Sequence, residues 1–202
     1  MASKLVVGTF VTLDGVMQAP GGAGEDASNG FTYEGWVPPH LDEGFDRIMG
    51  PLFERADGML LGRRSYDILN AHWPNVPDEE GGAKINSMPK YVATRTPMNA
   101  TWRNTEVLAG EAAETVAELK RRTEGTILVQ GSSDLLRTLQ SAELVDEYHL
   151  LVFPVVLGQG KRLFAEGTTP AGLKLTGSNT TDSGVAYLTY EWAGKPSFGT
   201  LA

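Results

Sequence analysis

The stretch ADGMLLGRRSYDIL, residues 56–69, places the apolar run MLL between two glycines and follows it with two arginines and a serine. A short apolar run bounded by glycines is typical of a buried strand, and the polar residues after it are typical of the first turn of a helix. Free backbone N–H groups at a helix start attract anions. In a chain with a formal net charge of −8, two guanidinium groups at this point predict a local anion site.

The composition of the 202-residue chain excludes several classes of function. Its acidic balance argues against nucleic acid or an anionic membrane as the main partner. The absence of cysteine excludes disulfides, thiolate metal ligands and a catalytic thiol. The sequence has no apolar run of about 18 residues and no signal-peptide pattern at its start. We therefore expect one soluble domain over residues 1–202, in the cytoplasm, without a membrane or nucleic-acid partner.

Strand and helix patterns alternate along the first 140 residues and give way to strands alone. Gly50-Pro51 is expected to kink or divide the first long helix. The predicted strands lie at 4–13, 58–62, 90–95, 107–108 and 126–131, and the predicted helices at 41–53, 63–70, 111–122 and 132–141. This order predicts an α/β fold with a mainly parallel sheet, whose ligands bind at the carboxyl ends of the strands.

The last third of the chain predicts the antiparallel end of that sheet. VDEYHLLVFPVVLG, residues 145–158, is a long strand pattern in which Pro154 indicates an edge or a bulge. GQGKRLF, residues 158–164, follows that strand without leading to a helix, so we interpret it as a structural turn. Residues 173–192 contain two strand patterns around a polar turn and predict a closing hairpin.

Three predicted strand ends share a pattern suited to phosphate. GMLLG-RRS and ILVQG-SSD each join a glycine to a polar helix start, and KYVATRT adds hydroxyl groups and an arginine. Taken singly, each junction is also compatible with an ordinary helix start and a solvated arginine. The glycine fingerprints of Rossmann and P-loop proteins are absent, so a Rossmann-type dehydrogenase has no specific support.

A series of motifs spread over almost the whole chain points to one superfamily. In order they are TLDG at 12–15, LLGRRSYDIL at 60–69, VATRTP at 92–97, ILVQGSSDLLRTL at 127–139 and DEYHLLVFPVVLGQGKRLF at 146–164. The series resembles the dihydrofolate reductase-like superfamily, and within it the branch containing the C-terminal reductase domain of the riboflavin-biosynthesis deaminase-reductase. The resemblance implies a three-layer fold with helices on both faces of the sheet. The zinc-dependent deaminase domain is not present, because its usual ligands include cysteine.

The resemblance also implies NADPH bound across the carboxyl ends of the strands. Two glycines are common in the family at the turn near residue 131, whereas Gly131 here is followed by Ser132. The residues implied to contact the cofactor are Thr9, Phe10, Gly62, Arg63, Arg64, Ser65, Thr94, Arg95, Thr96, Gly131, Ser132, Ser133, Asp134 and Leu135.

Three carboxylates are candidates for acid-base catalysis. Asp14 matches the aspartate of the family's LDG turn, which lies close to the substrate in the riboflavin branch, but it also suits a plain Asp-Gly turn. Asp42 and Asp46 lie on the helix that binds the pterin ring through a carboxylate in dihydrofolate reductase, and they equally suit the solvated face of an amphipathic helix. His149 is expected to be packed or hydrogen-bonded rather than catalytic. Three scattered histidines predict no metal site.

The segment 17–39 is longer than an ordinary connection and is either a functional loop or a floppy one. Its aromatic residues Tyr33 and Trp36 suit closure over a planar ring, or simply attachment of the segment to the domain.

Two functions remain open at this point. The first is an NADPH-dependent reductase that transfers a hydride to a small pterin- or ribosylaminopyrimidine-like heterocycle. The second is an NADP(H)-binding sensor or interaction module without turnover, favoured by the lack of a securely placed proton donor. The branch often forms dimers, which implies a homodimer, and the apolar strand at 145–157 is expected to offer an edge for it.

Overall fold

A computed structural model describes residues 2–201 and shows one eight-stranded sheet with five α-helices. The strands are β1 (Lys4–Thr12), β2 (Gly58–Gly62), β3 (Lys90–Thr94), β4 (Thr105–Ala109), β5 (Thr126–Val129), β6 (Glu147–Phe153), β7 (Leu173–Thr180) and β8 (Ala186–Trp192). The helices are α1 (Glu43–Glu54), α2 (Arg63–His72), α3 (Gly82–Ser87), α4 (Ala112–Arg122) and α5 (Ser133–Ser141).

The strand order across the sheet is β4-β3-β2-β5-β1-β6-β8-β7. The six strands from β4 to β6 are parallel, whereas β8 is antiparallel to both β6 and β7. The hairpin of β7 and β8 and the mainly parallel sheet with an antiparallel end are therefore confirmed. Six parallel strands bring their carboxyl ends to one edge of the sheet.

Each face of the sheet buries its own apolar core because strand side chains alternate between faces. Val7 and Leu5 face the core formed with α4 and α5, while Val6 between them faces the core formed with α1, α2 and α3. Helices cover both faces, as the three-layer prediction requires. Within residues 2–201, no helix combines the length and apolar character needed to cross a bilayer.

Gly50-Pro51 was predicted to kink or divide the first helix; the division is wrong, and the kink stays a prediction. Helix α1 runs unbroken from Glu43 to Glu54 with Pro51 in its last turn. Proline removes the hydrogen bond to the carbonyl four residues earlier, which here belongs to Arg47. Both residues are exposed, so water can bond to that carbonyl and the loss is small.

The prediction of an edge or bulge at Pro154 is also wrong. Strand β6 lies between β1 and β8, and Pro154 is the first residue beyond its end, where no ladder N–H is needed. Because both sides of β6 are paired, it cannot offer an edge to a second copy of the chain. The outermost strands of the described sheet are β4 and β7. The homodimer itself stays a prediction.

The long segment 17–39 packs onto the domain. Trp36 is buried, its Nε1–H donates to the Gln18 carbonyl at 2.9 Å, and its ring centroid lies 5.3 Å from that of Phe153. Tyr33 is half exposed and packs edge-on against Phe31. Trp36 therefore attaches the segment to the domain, which was one of the two expected roles.

Candidate functional site

A cavity of about 590 Å³ opens at the carboxyl edge of the sheet, where β1, β2, β3 and β5 end. Its size falls within the range of small-molecule and cofactor sites, about 300–1,000 Å³. All fourteen residues for which the sequence implied cofactor contacts, from Thr9 to Leu135, line this cavity. Their role in binding stays a prediction, but the fold brings them to one place.

The β2–α2 and β5–α5 junctions pack directly against each other in the cavity wall. The Gly62 N–H donates to Ser132 Oγ at 3.0 Å, and the hydroxyl oxygens of Ser65 and Ser132 share a hydrogen bond of 2.8 Å. A Cβ atom on Gly62 would lie 2.3 Å from Ser132 Oγ. Glycine at position 62 is thus required by the close approach of the second junction.

Ser132 adopts an unusual backbone conformation. Its φ is +66°, in the left-handed region that glycine enters without steric cost. Its side chain does not cap its own helix and reaches the β2–α2 junction instead. The departure from a double glycine is therefore accommodated by a serine in a glycine-like conformation.

Both helix N-termini at the cavity are suited to an anion. Within the described chain, neither α2 nor α5 has a side-chain cap at its N-terminus. Uncapped first-turn N–H groups and the helix dipole together favour negative charge. The two junctions therefore form one anion-binding wall.

The cavity contains four cations that differ in their partners. Arg63 pairs with Asp67 on the surface of α2, with Nε 2.9 Å from the carboxylate. Arg64 and Lys161 both pair with Asp26, at 2.9 and 2.6 Å. Arg95 is exposed and forms no ion pair within residues 2–201. Arg95 is consequently the cavity cation most available to a ligand.

Sequence reasoning missed several polar residues that line the cavity. Gln18, Glu25 and Asp26 come from the segment 17–39, and Lys161 comes from the GQGKRLF turn. That stretch is a turn, as interpreted, but the lysine after its two glycines was a signal of a second role. Burial raises the pKa of Glu25, while hydrogen bonds from the Gly21 and Gly22 N–H groups oppose that rise.

The three carboxylates proposed for catalysis lie outside the residues that line the cavity. Asp14 accepts hydrogen bonds from the Thr12 hydroxyl at 2.6 Å and the Gly158 N–H at 2.8 Å. Burial alone would raise the pKa of Asp14, but these bonds hold it at about 2. The position of Asp14 suits a structural turn, and its catalytic role stays an untested prediction.

Asp42 and Asp46 both belong to the start of α1. The Asp42 carboxylate caps the helix by accepting from the Phe45 N–H at 2.8 Å, and it also accepts from the Ser183 N–H at 2.9 Å. Asp46 is exposed in the first helical turn. Neither residue reaches the cavity wall, and their catalytic role likewise stays untested.

His149 lies in β6, where its Nδ1 shares a 2.5 Å hydrogen bond with the Tyr187 hydroxyl. This contact agrees with the expectation of a packed, hydrogen-bonded ring. Within residues 2–201, no cluster of three or more metal-ligating side chains is present.

The mainly parallel sheet with an antiparallel end, helices on both faces and a cavity at its carboxyl edge make up a dihydrofolate reductase-like α/β fold. The family model of the RibD C-terminal domain matches residues 3–187, so the chain belongs to that family. The uncharacterized protein YyaP of Bacillus subtilis (strain 168) is 29% identical over 195 residues, which cover 95% of this chain and 96% of YyaP.

Two solved structures share the fold. A protein of Shewanella sp. PV-4, provisionally named a riboflavin biosynthesis protein, superposes with a TM-score of 0.68 and 22% identity, covering 95% of this chain and 99% of that one. The dihydrofolate reductase of Enterococcus faecalis, solved in complex with NADP(H) and RAB-propyl, superposes with a TM-score of 0.61 and 16% identity, covering 96% of this chain and 99% of that one. At these identities the likeness concerns the fold alone.

Proposed function

We propose that the protein is an NADPH-dependent reductase that transfers a hydride to a small heterocycle of the pterin or pyrimidine class. The proposal rests on one cavity in which, among residues 2–201, two helix N-termini have no side-chain cap and Arg95 forms no ion pair. Membership of a family named for a riboflavin-pathway reductase domain supports the same reaction type.

The donors in the cavity fit the cofactor in three places. The N–H groups at the starts of α2 and α5 suit the diphosphate. Arg95, with the Thr94 and Thr96 hydroxyls beside it, suits the phosphate that distinguishes NADPH from NADH. The cavity end of β1, at Thr9 and Phe10, offers backbone groups to the nicotinamide carboxamide. When bound, the cofactor supplies the hydride, and the chain supplies binding, orientation and a proton.

Glu25 is better placed than Asp14 to supply that proton. Glu25 lines the cavity, and burial raises its pKa so that the carboxyl group retains a proton to higher pH. Asp14 lies away from the cavity wall, and its pKa is low. We therefore assign the proton donor to Glu25 in this proposal.

Two measurements test the proposed function. Titration of NADPH and NADH by cofactor fluorescence is expected to show tighter binding of NADPH. The absorbance of NADPH is then expected to fall, as the cofactor is oxidised, when at least one compound from a panel of pterins, pyrimidines and quinonoid compounds is added. Absence of NADPH binding would contradict the proposal. Binding without turnover of any compound would favour the alternative, a cofactor-binding sensor or interaction module.

A further inference from the structure

Asp26 joins the segment 17–39 to two distant parts of the chain. Its Oδ1 accepts from Arg64 Nη1 on α2 at 2.9 Å, and its Oδ2 accepts from Lys161 Nζ in the turn after β6 at 2.6 Å. The Ser28 hydroxyl also donates to Asp26 at 2.6 Å, and Arg64 Nη1 donates to Ser28 Oγ at 2.9 Å. One carboxylate therefore holds three regions of the chain together.

The burial of Asp26 makes these contacts stronger than ordinary surface ion pairs. Its side chain is 9% exposed, against 24% for Lys161 and 59% for Arg64. Burial alone would raise the pKa of Asp26, but hydrogen bonds from Lys161 and Ser28 hold it below its usual value. A shielded carboxylate with two cationic partners is screened less by salt than an exposed pair.

Gln18 strengthens the same connection. Its Nε2 donates to the carbonyls of Asp26 at 2.9 Å and Ser28 at 3.0 Å, and its Oε1 accepts from the Lys161 N–H at 3.0 Å. We call Gln18, Asp26, Ser28, Arg64 and Lys161 the ionic clasp. Apart from Ser28, its members line the cavity.

The ionic clasp stands beside the anion-binding wall. Arg64 belongs to the first turn of α2, whose N-terminus forms part of that wall. Residues of the segment 17–39 also line this cavity, namely Met17, Gln18, Ala19, Pro20, Glu25 and Asp26. Asp26 therefore joins the segment to α2 at the wall of this cavity, beside the N-terminus of α2.

We infer that Asp26 is a positioning residue that fastens the segment 17–39 over the cavity through Arg64 and Lys161, so that opening of the ionic clasp limits how fast an anionic ligand enters and leaves. The identity of that ligand as NADPH rests on the proposed function. The fastening of the segment does not depend on it.

This role has a kinetic signature. A barrier that must open in both directions slows association and dissociation alike, so its removal raises both rates and changes the dissociation constant less. Loss of a direct ligand contact acts mainly on dissociation and weakens affinity. The two roles of Asp26 are therefore separable by rates.

The first test uses the ligand-free protein and needs no cofactor. Hydrogen–deuterium exchange is measured by mass spectrometry on peptides from the segment 17–39 in wild type, Asp26→Asn and Asp67→Asn. Asp67 pairs with Arg63 on the same helix but does not touch the segment, so it is the matched control. Asp26→Asn is expected to speed exchange in the segment by roughly tenfold, the effect of losing one charge-assisted hydrogen bond. Asp67→Asn should exchange like wild type.

A second variant keeps the inference testable if Asp26→Asn does not fold. Lys161→Met removes the less exposed cation of the clasp and should speed the same peptides. Peptides from α4 should keep their rates in both variants. Unchanged exchange of the segment in the folded variants would overturn the inference.

The second test follows NADPH by stopped-flow fluorescence. Asp26→Asn is expected to raise both rate constants by about the factor seen in exchange, with a smaller change in the dissociation constant. A change in dissociation alone would overturn the kinetic part and make Asp26 a ligand contact or a structural support. If NADPH does not bind even to wild type, the proposed function fails, while the exchange result still decides whether the clasp holds the segment.

Discussion

At the amino ends of the parallel strands the charged side chains are paired within the chain, whereas at the carboxyl ends several donors face a cavity. Lys120 binds Asp146 at 2.5 Å, and Lys4 binds Glu147 at 2.6 Å, both near strand starts. Asp57 accepts from the Thr126 N–H at 2.8 Å where β5 begins. At the other edge, within the described chain, Arg95 forms no ion pair and the backbone N–H groups at the starts of α2 and α5 have no side-chain cap.

Lys90 and Arg95, at opposite ends of the same strand β3, show the contrast most clearly. Lys90 is fully buried and donates to the carbonyls of Ile85, Asn86 and Met88 at 3.2, 2.9 and 2.9 Å. Its ammonium also lies 4.6 Å from the Trp102 ring centroid. Strand β3 thus begins with Lys90, whose ammonium donates three hydrogen bonds. It is followed by Arg95, whose guanidinium forms no ion pair within residues 2–201. The difference separates a structural charge from a binding charge.

The largest expected effect concerns Lys90. Lys90→Met removes this donor from the carbonyls of Ile85 and Met88, while the Asn86 carbonyl keeps a hydrogen bond from Arg103 Nε at 3.0 Å. The variant is expected to lower the free energy of unfolding by roughly 3 kcal/mol. The matched control is Lys84→Met on α3, where a half-buried lysine donates to a single carbonyl through a solvent-exposed hydrogen bond, and its effect should stay within about 0.5 kcal/mol. Urea unfolding measures both. If the two variants were equally stable, Lys90 would not be a structural charge.

Arg95→Ala tests whether Arg95 is a binding charge. Loss of a charged contact to the extra phosphate is expected to weaken NADPH binding by about tenfold or more, because such bonds contribute roughly 1.5–3 kcal/mol. NADH binding and stability should change little. Fluorescence titration of both cofactors gives the answer, with Arg121→Ala, an exposed arginine of α4, as control. An equal loss for both cofactors would place Arg95 away from that phosphate.

Ser132 combines both properties, because it lines the cavity and joins two junctions. Ser132→Ala loses the bond to Gly62 and keeps a side chain in a left-handed conformation, whereas Ser132→Gly loses the bond but removes that strain. We expect the alanine variant to be less stable than the glycine variant by about 1 kcal/mol. Thermal unfolding compares them. The opposite order would mean that the conformation at position 132 is not strained.

The smallest expected effect concerns Asp14 at low pH. Its folded pKa of about 2 lies below the ordinary 3.8, so its carboxylate stabilises the fold above about pH 3.8 and loses this contribution as the pH falls toward 2. Asp14→Asn should remove this part of the acid destabilisation and leave NADPH affinity unchanged. Asp46→Asn is the control. A loss of turnover with intact stability would restore the catalytic role of Asp14.

The features of the structure that the sequence predicted correctly were those marked by a local sequence pattern. Strand β2 begins and ends at the predicted residues, 58 and 62, because an apolar run between glycines marks both ends. The site junctions were found for the same reason. The interior position of β6 was missed because strand order depends on the whole topology rather than on Pro154.

The ionic clasp was beyond sequence reasoning for a related reason. Asp26 and Lys161 are 135 positions apart and lie in a long loop and a turn, where no periodicity fixes the direction of a side chain. Pro51 shows the converse, since the local rule for proline predicted a divided helix, whereas α1 continues through Pro51 at an exposed position where water can reach the Arg47 carbonyl.

The central position of the first strand has a consequence for synthesis of the chain. Residues Lys4–Val7 of β1 pair with Thr126–Val129 of β5, and β1 also pairs along its length with β6. Ribosomes add about 5–20 residues per second, so the first of these partners emerges roughly 6–25 s after β1. During that interval the apolar strand β1 has no partner strand to pair with, and unpaired strands of this kind are prone to aggregation and are bound by chaperones. The yield of folded protein in the cell should therefore depend on the speed of translation between β1 and β5.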